Sequence, residues 1–195
     1  MIPLEKLRAV KRIITHENCA DGIASAMILK QALPYATVEF MQYNTPAHRA
    51  LQPEEGLLFC DFSPWLPQNT EQNKPVMAEA LKRLDEFVAA GTIVLDHHGT
   101  QEEVVRAFKS LGVYADMKTQ PGVSGAVLAF NEVWDPICKE ELEPAIYERY
   151  RPMVQVFAEV AGVRDTWVKT DARFLESRQQ REALLFWEVS DLLAL

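Results

Sequence analysis

Four short runs of apolar, largely β-branched residues recur in the first half of the chain: RIIT at 12–15, ATVEFM at 36–41, GLLFC at 56–60 and TIVL at 92–95. Polar loops and helical stretches separate them. Ile23 to Leu33 reads as a helix that stops before Pro34, and Val76 to Ala90 as one that stops at Gly91. Near-continuous apolar runs are the mark of strands buried on both faces. Their alternation with helices predicts an α/β fold: a mostly parallel sheet of about five strands, helices on both faces, and a helical C-terminal part. A fifth, edge strand is expected at Val113–Met117. Thr100 to Leu111 reads as a helix opened by a capping box of Thr100 and Glu103. Ala126 to Trp134 reads as a helix, and so does Glu143 to Ala161, interrupted by Pro144 and Pro152. VRDTW at 163–167 reads as a break before a last helix over Asp171–Leu195. Residues 1–195 are read as one domain, with strand-end motifs in 12–100 and a helical part in 118–195.

Strands one, three and four run into polar residues with ligand chemistry. The first is followed by His16 and, close behind, Asp21; the third by Asp61; the fourth by Asp96, His97 and His98. In a parallel sheet these ends share the edge where ligands gather. Three of the chain's four histidines fall there, which makes coincidence a poor explanation. Mixed carboxylate and imidazole ligands suit Mn²⁺, Fe²⁺, Co²⁺ or Zn²⁺. A carboxylate can also bridge two ions about 3.5–4 Å apart. Blander readings stand beside these. Asp21 and Asp165 are each placed to cap a helix. Ser124 and Gly125 either start a helix or offer backbone N–H groups to a phosphate. For Arg164 a surface salt bridge is preferred to a phosphate contact. Phe174, Trp187 and Leu192 read as packing or a dimer face in preference to a base-stacking platform. His48, in the connection over 45–56, is given no role.

Charge narrows the partners. The net charge is −8 at pH 7, and no stretch interleaves Lys or Arg with aromatics. That argues against long duplex nucleic acid, whose phosphates demand a basic footprint. A metal can still supply positive charge for a small anionic substrate. Cys19, Cys60 and Cys138 are odd in number and lack CxxC spacing, which fits a reducing cytoplasm. No apolar run approaches a membrane span, and no apolar leader is seen.

The tripeptide Asp96-His97-His98 after a strand, with Asp61 after an earlier one and HENCADG at 16–22 after the first, resembles the DHH phosphoesterase superfamily. The form H-x-N-C-x-D-G, DFSP at 61–64, SGA at 124–126 and Asp165 in RDTW look most like its oligoribonuclease or cyclic-nucleotide phosphodiesterase branch. The resemblance covers roughly residues 12–167. It implies two metal ions, with Mn²⁺ favoured and Co²⁺, Fe²⁺ or Mg²⁺ as alternatives. Asp61 would bridge them. Asp21, His97 and Asp165 would hold one ion and His16 the other. His98 would contact the substrate phosphate, and Asp96 would orient the histidines. Cys19 stands where many members have an aspartate, in a loop one residue shorter; it offers a softer ligand, with Asn18 as a substitute or substrate contact. About 28 residues follow Trp167, too few for the family's usual C-terminal substrate domain. The resemblance thus implies a two-metal hydrolase of a small phosphodiester or short oligonucleotide; a homodimer that sets the final helices side by side is a further expectation. An inorganic pyrophosphatase-like hydrolase and a nucleotide-binding module without turnover are the rival readings.

Overall fold

A computed structural model of the protein describes residues 1–186. In chain order the elements are α1 (Leu4–Arg8), β1 (Arg12–His16), α2 (Ala20–Ala32), β2 (Thr37–Met41), α3 (Pro46–Ala50), β3 (Leu57–Cys60), α4 (Lys74–Ala89), β4 (Ile93–Asp96), α5 (Glu102–Ala107), β5 (Gly112–Tyr114), α6 (Gly125–Ala129), α7 (Asp135–Glu141), α8 (Pro144–Asp165) and α9 (Phe174–Phe186). A π-helical turn over Phe130–Trp134 joins α6 to α7. The strands form one sheet in the order β2-β1-β3-β4-β5, and every pairing is parallel. The expected α/β architecture with a helical C-terminal part is therefore present.

Each face of the sheet has its own apolar layer. Ile13, Leu58, Ile93 and Leu95 pack with residues of α2, α6 and α8. Ile14, Leu57, Phe59 and Val94 pack with Leu84 and Phe87 of α4 and with Val104 and Val105 of α5. β3 and β4 are buried at every position, as a strand covered on both faces must be. The strand order also reverses here. The chain steps from β1 outward to β2, then returns across β1 to build β3, β4 and β5. Such a reversal opens a crevice at the carboxyl ends of the two strands flanking it, here β1 and β3. Thr15 pairs with Cys60, and Cys60 with Leu95, so residues 16, 61 and 96 follow at one level of that edge.

Several local expectations are corrected. Thr100–Leu111 is not one helix: 3₁₀ turns over Gly99–Gln101 and Lys109–Leu111 flank the short α5. No capping box forms: Thr100 lies inside the first 3₁₀ turn and not at a helix N-cap, and its hydroxyl accepts from the Gln101 side-chain amide at 3.3 Å. The edge strand is earlier and shorter than 113–117. Ala115 N–H makes the last ladder bond, to Asp96 C=O, and Asp116 then turns the chain by accepting from Lys118 and Gln120. Pro144 and Pro152 do not interrupt α8. Pro144 takes the first helical position, where no N–H is needed, and Pro152 forfeits one bond of a 22-residue helix. Nor is there a break at 163: α8 continues to Asp165. α3 fills part of the connection over 45–56, with the Thr45 side chain accepting from His48 N–H at 3.2 Å. The last helix starts at Phe174, and Trp187 and Leu192 lie outside the described residues. Among the described residues, no helix is long and apolar enough to cross a membrane.

Candidate metal centre

His16 closes β1, Asp61 follows β3, and Asp96, His97 and His98 close and follow β4. Asp21 enters the group from the first turn of α2, and Asp165 from the last residue of α8. His97 Nε2 lies 3.1 Å from Asp61 Oδ1, 3.3 Å from Asp165 Oδ2 and 3.5 Å from Asp21 Oδ2. One imidazole nitrogen thus faces three carboxylates. On the other side of Asp61, its Oδ2 lies 3.9 Å from His16 Nδ1, too far for a hydrogen bond, and neither buried atom has a partner. Three sets of side chains converge closely enough to hold an ion: His16, Cys19 and Asp61; Asp61, His97 and His98; Asp21, His97 and Asp165. Asp61 belongs to two of them.

The electrostatics of this group are those of crowded, buried acids. Burial, then the charge of Asp21, push the Asp61 carboxyl well above its ordinary range. The same two causes raise Asp165 to about 6. Burial, followed by the charges of Asp61, Asp21 and Asp165, keeps the Cys19 thiol protonated. Burial and the neighbouring His98 lower His16. Carboxylates crowded into a dry site around imidazoles hold protons until a metal replaces them. The donor set and the two partnerless atoms between His16 and Asp61 fit a divalent ion. His97 Nδ1 is also buried without a partner, so the outer acceptor usual for a metal-bound imidazole is missing there.

Asp21 is not a cap for its own helix; its side chain belongs to the start of another. Oδ1 accepts from Ser124 Oγ at 2.6 Å and from Ala126 N–H at 3.0 Å, while Oδ2 accepts from Gly125 N–H at 2.7 Å. Ser124 and Gly125 are buried, and the Ser124 hydroxyl and the Gly125 N–H are taken by Asp21. They start α6 and hold the Asp21 carboxylate in place, which is the helix-start reading of the two offered by the sequence. Two glycines permit this closeness. A side chain at Gly22 would meet His16 C=O at 2.2 Å, and one at Gly125 would lie 2.5 Å from Asp61 Cβ and 2.9 Å from Asp21 Oδ2. Gly125→Ala should therefore cost about 1–3 kcal/mol, the scale of overpacking a core. Because the clash is with two ligand residues, the variant should also lose much of any metal-induced rise in melting temperature. Thermal unfolding with and without Mn²⁺ measures both.

Asp96 organises the histidine pair. Its Oδ1 accepts from His97 N–H at 2.7 Å, His98 N–H at 3.0 Å and His98 Nδ1 at 2.7 Å; Tyr43 O–H donates to Oδ2 at 3.1 Å. Burial works to raise Asp96, but the bonds and charge of His98 outweigh it and hold the carboxyl below its usual value. Burial likewise opposes the His98 cation, yet Asp96 raises His98 to about 9. With Nδ1 committed to Asp96, His98 presents Nε2. Tyr43 lies two residues beyond β2, and its ring centre is 4.3 Å from that of Phe62. The strand-end rule that pointed to His16, Asp61 and Asp96 stops at Gln42, so sequence reasoning had no signal for Tyr43. Burial, with the charges of Asp96 and Asp61, drives the Tyr43 phenol up, so it stays a donor. His48 is a buried core histidine: Nδ1 accepts from Asn44 N–H at 3.1 Å, leaving Nε2–H to donate to Ser63 C=O at 2.9 Å.

The ligand group opens into a cleft of about 400 Å³. Its lining includes His16, Cys19, Asp21 and Asp165 together with Asn18, Arg164, Trp167 and Arg181. Cys19 lies 3.9 Å from Asp165 Oδ1. The salt bridge expected of Arg164 is absent among the described residues. Its guanidinium instead lies 5.1 Å from the Trp167 ring centre and 5.3 Å from that of Phe174. No protein-family model, no curated protein and no solved structure matches the chain.

Proposed function

We propose that the protein is a metal-dependent phosphoesterase of the DHH type, acting on a small phosphodiester or short oligonucleotide with two divalent ions, Mn²⁺ being the favoured metal. The supporting observation is the position of Asp61, whose two oxygens face separate imidazoles: Oδ1 toward His97 Nε2 and Oδ2 toward His16 Nδ1. A shared carboxylate flanked by two ligand sets is the arrangement a two-metal phosphoesterase needs. Asp21, His97 and Asp165 would hold one ion, and His16 with Cys19 the other. Divalent ions bound there supply Lewis acidity and water activation. The protein's own groups do the rest. His98, which Asp96 raises to about 9 in the metal-free protein, would present Nε2 toward a phosphoryl oxygen as charge builds on it. Asp96 and Tyr43 fix its direction. The reading suits a reducing cytoplasm, since Cys19, Cys60 and Cys138 are all free.

The expected result is that the protein hydrolyses a generic aryl phosphodiester only with a divalent transition ion. Turnover should vanish in chelator and return with Mn²⁺ or Co²⁺. Undiminished turnover in chelator would rule out the metal mechanism, and stoichiometric metal binding without turnover would favour a binding module.

A further inference from the structure

We infer that the cleft beside the ligand group is a nucleotide subsite, in which Trp167 stacks a base and Arg164 and Arg181 hold a phosphate. This rests on the phosphoesterase reading and narrows its substrate to one carrying a nucleobase next to the phosphate. Trp167 is 60% exposed, an unusual cost for the largest aromatic side chain. Its backbone holds φ of 56° in the left-handed cap that closes α8, where Trp167 N–H bonds to Arg164 C=O and Val168 N–H to Val163 C=O. That cap sets an exposed indole on the lining of the cleft, with the Arg164 and Lys169 cations each 5.1 Å from its ring centre, and an aromatic face so exposed can stack any base.

The phosphate side comes from two helices. Arg164 precedes the ligand Asp165 at the end of α8, with its guanidinium near the Trp167 and Phe174 rings. Arg181 comes from α9, where Ser177, Gln180 and Arg181 follow the three- and four-residue spacing that puts them on one helix face. Gln180 Nε2 anchors that face to Phe157 C=O at 3.0 Å. Among the described residues neither guanidinium pairs with a carboxylate, although the chain carries −8. Unpaired guanidinium forks beside a metal site match phosphate chemistry. At about 400 Å³ the cleft falls in the roughly 300–1,000 Å³ range of small-molecule sites, enough for one nucleotide. Pyrophosphate would leave Trp167 without a role.

The test titrates the full chain with AMP and with ribose 5-phosphate, in Mn²⁺ and in chelator, while Mn²⁺ binding is followed separately by electron paramagnetic resonance. AMP should bind roughly tenfold more tightly than ribose 5-phosphate, the effect of one aromatic stack. Trp167→Ala should erase that preference and Trp167→Phe retain most of it. Arg181→Gln should weaken both ligands alike and leave the preference intact. Equal affinities in the wild type, or a preference that survives Trp167→Ala, would overturn the subsite. Failure to bind Mn²⁺ with the AMP preference intact would instead sink the metal reading alone. Trp167 and Arg181 are exposed, so the variants should fold, and circular dichroism checks that they do.

Discussion

Asp61→Asn should cut turnover by more than about 100-fold and yet raise the melting temperature of the metal-free protein. Losing an outer partner of a metal ligand already costs about 10–100-fold in affinity or activity. Asp61 faces both imidazole sets, so its loss should exceed that. The stability half follows from its pKa. Burial and Asp21 push the folded-state carboxyl above its unfolded value. Above that raised value the folded protein carries a charge its surroundings resist, and the penalty fades as pH falls and the proton is taken up. Asparagine removes the charge. It also suits the backbone, since Asp61 holds φ of 54°, where Asn is among the better-tolerated residues. In chelator at pH 8 the variant should therefore melt higher than wild type, with the gap closing toward acid. Adding Mn²⁺ should reverse the order by stabilising only the wild type. A metal-free wild type that melts at or above the variant at pH 8 would contradict this account.

Asp96→Asn should act in the opposite sense on stability. Four donors meet this buried carboxylate: two backbone N–H groups, the His98 ring and the Tyr43 hydroxyl. Breaking a buried ion pair by removing one partner costs about 3–5 kcal/mol. A loss of about 3 kcal/mol is expected, because an amide can keep some of the neutral bonds. The pH dependence has two edges. Asp96 is held below its ordinary value, so its contribution is present above the usual carboxylate range and lost on acidification. His98 is raised from 6.5 to about 9, so its contribution is complete below 6.5 and lost as pH rises through about 9. The gap between wild type and variant in metal-free protein should be widest between those limits and narrow above pH 9. Denaturant melts across pH measure it. A gap that stays constant to pH 10 would mean that the His98 charge plays no part.

The strand ends were readable because apolar runs stop sharply at His16, Asp61 and Asp96, and parallel pairing then brings those residues to one edge. Asp21 was harder. Read locally, an aspartate ahead of an apolar helix is a cap, and Ser124-Gly125 is either a helix start or a free set of anion donors. Each reading is reasonable alone, yet the two segments satisfy one another across more than a hundred residues. No local pattern encodes such a pairing. The capping box at Thr100 failed because 3₁₀ turns shortened the helix and left Thr100 inside the first of them. Pro144 and Pro152 were read as breaks, where one occupies a position that needs no N–H and the other costs a single bond. Arg164 lacks the carboxylate partner assigned to it among the described residues, and its guanidinium lies against the Trp167 and Phe174 rings, a contact that sequence spacing does not reveal.

The hydrogen bonds from Ser124, Gly125 and Ala126 to Asp21 also set when the centre can come into being. As the chain leaves the ribosome, every strand-end motif has emerged by residue 98. Asp21 still lacks its three donors, which arrive more than twenty residues later, and Asp165 arrives later still, at the end of α8. Closing loops this long carries an entropy that grows slowly with length and is met only when the helices dock. On the two-metal reading, the sets built from His16, Cys19, Asp61, His97 and His98 would emerge first, and the ion held by Asp21, His97 and Asp165 would be captured late in synthesis, once α6 and α8 have docked.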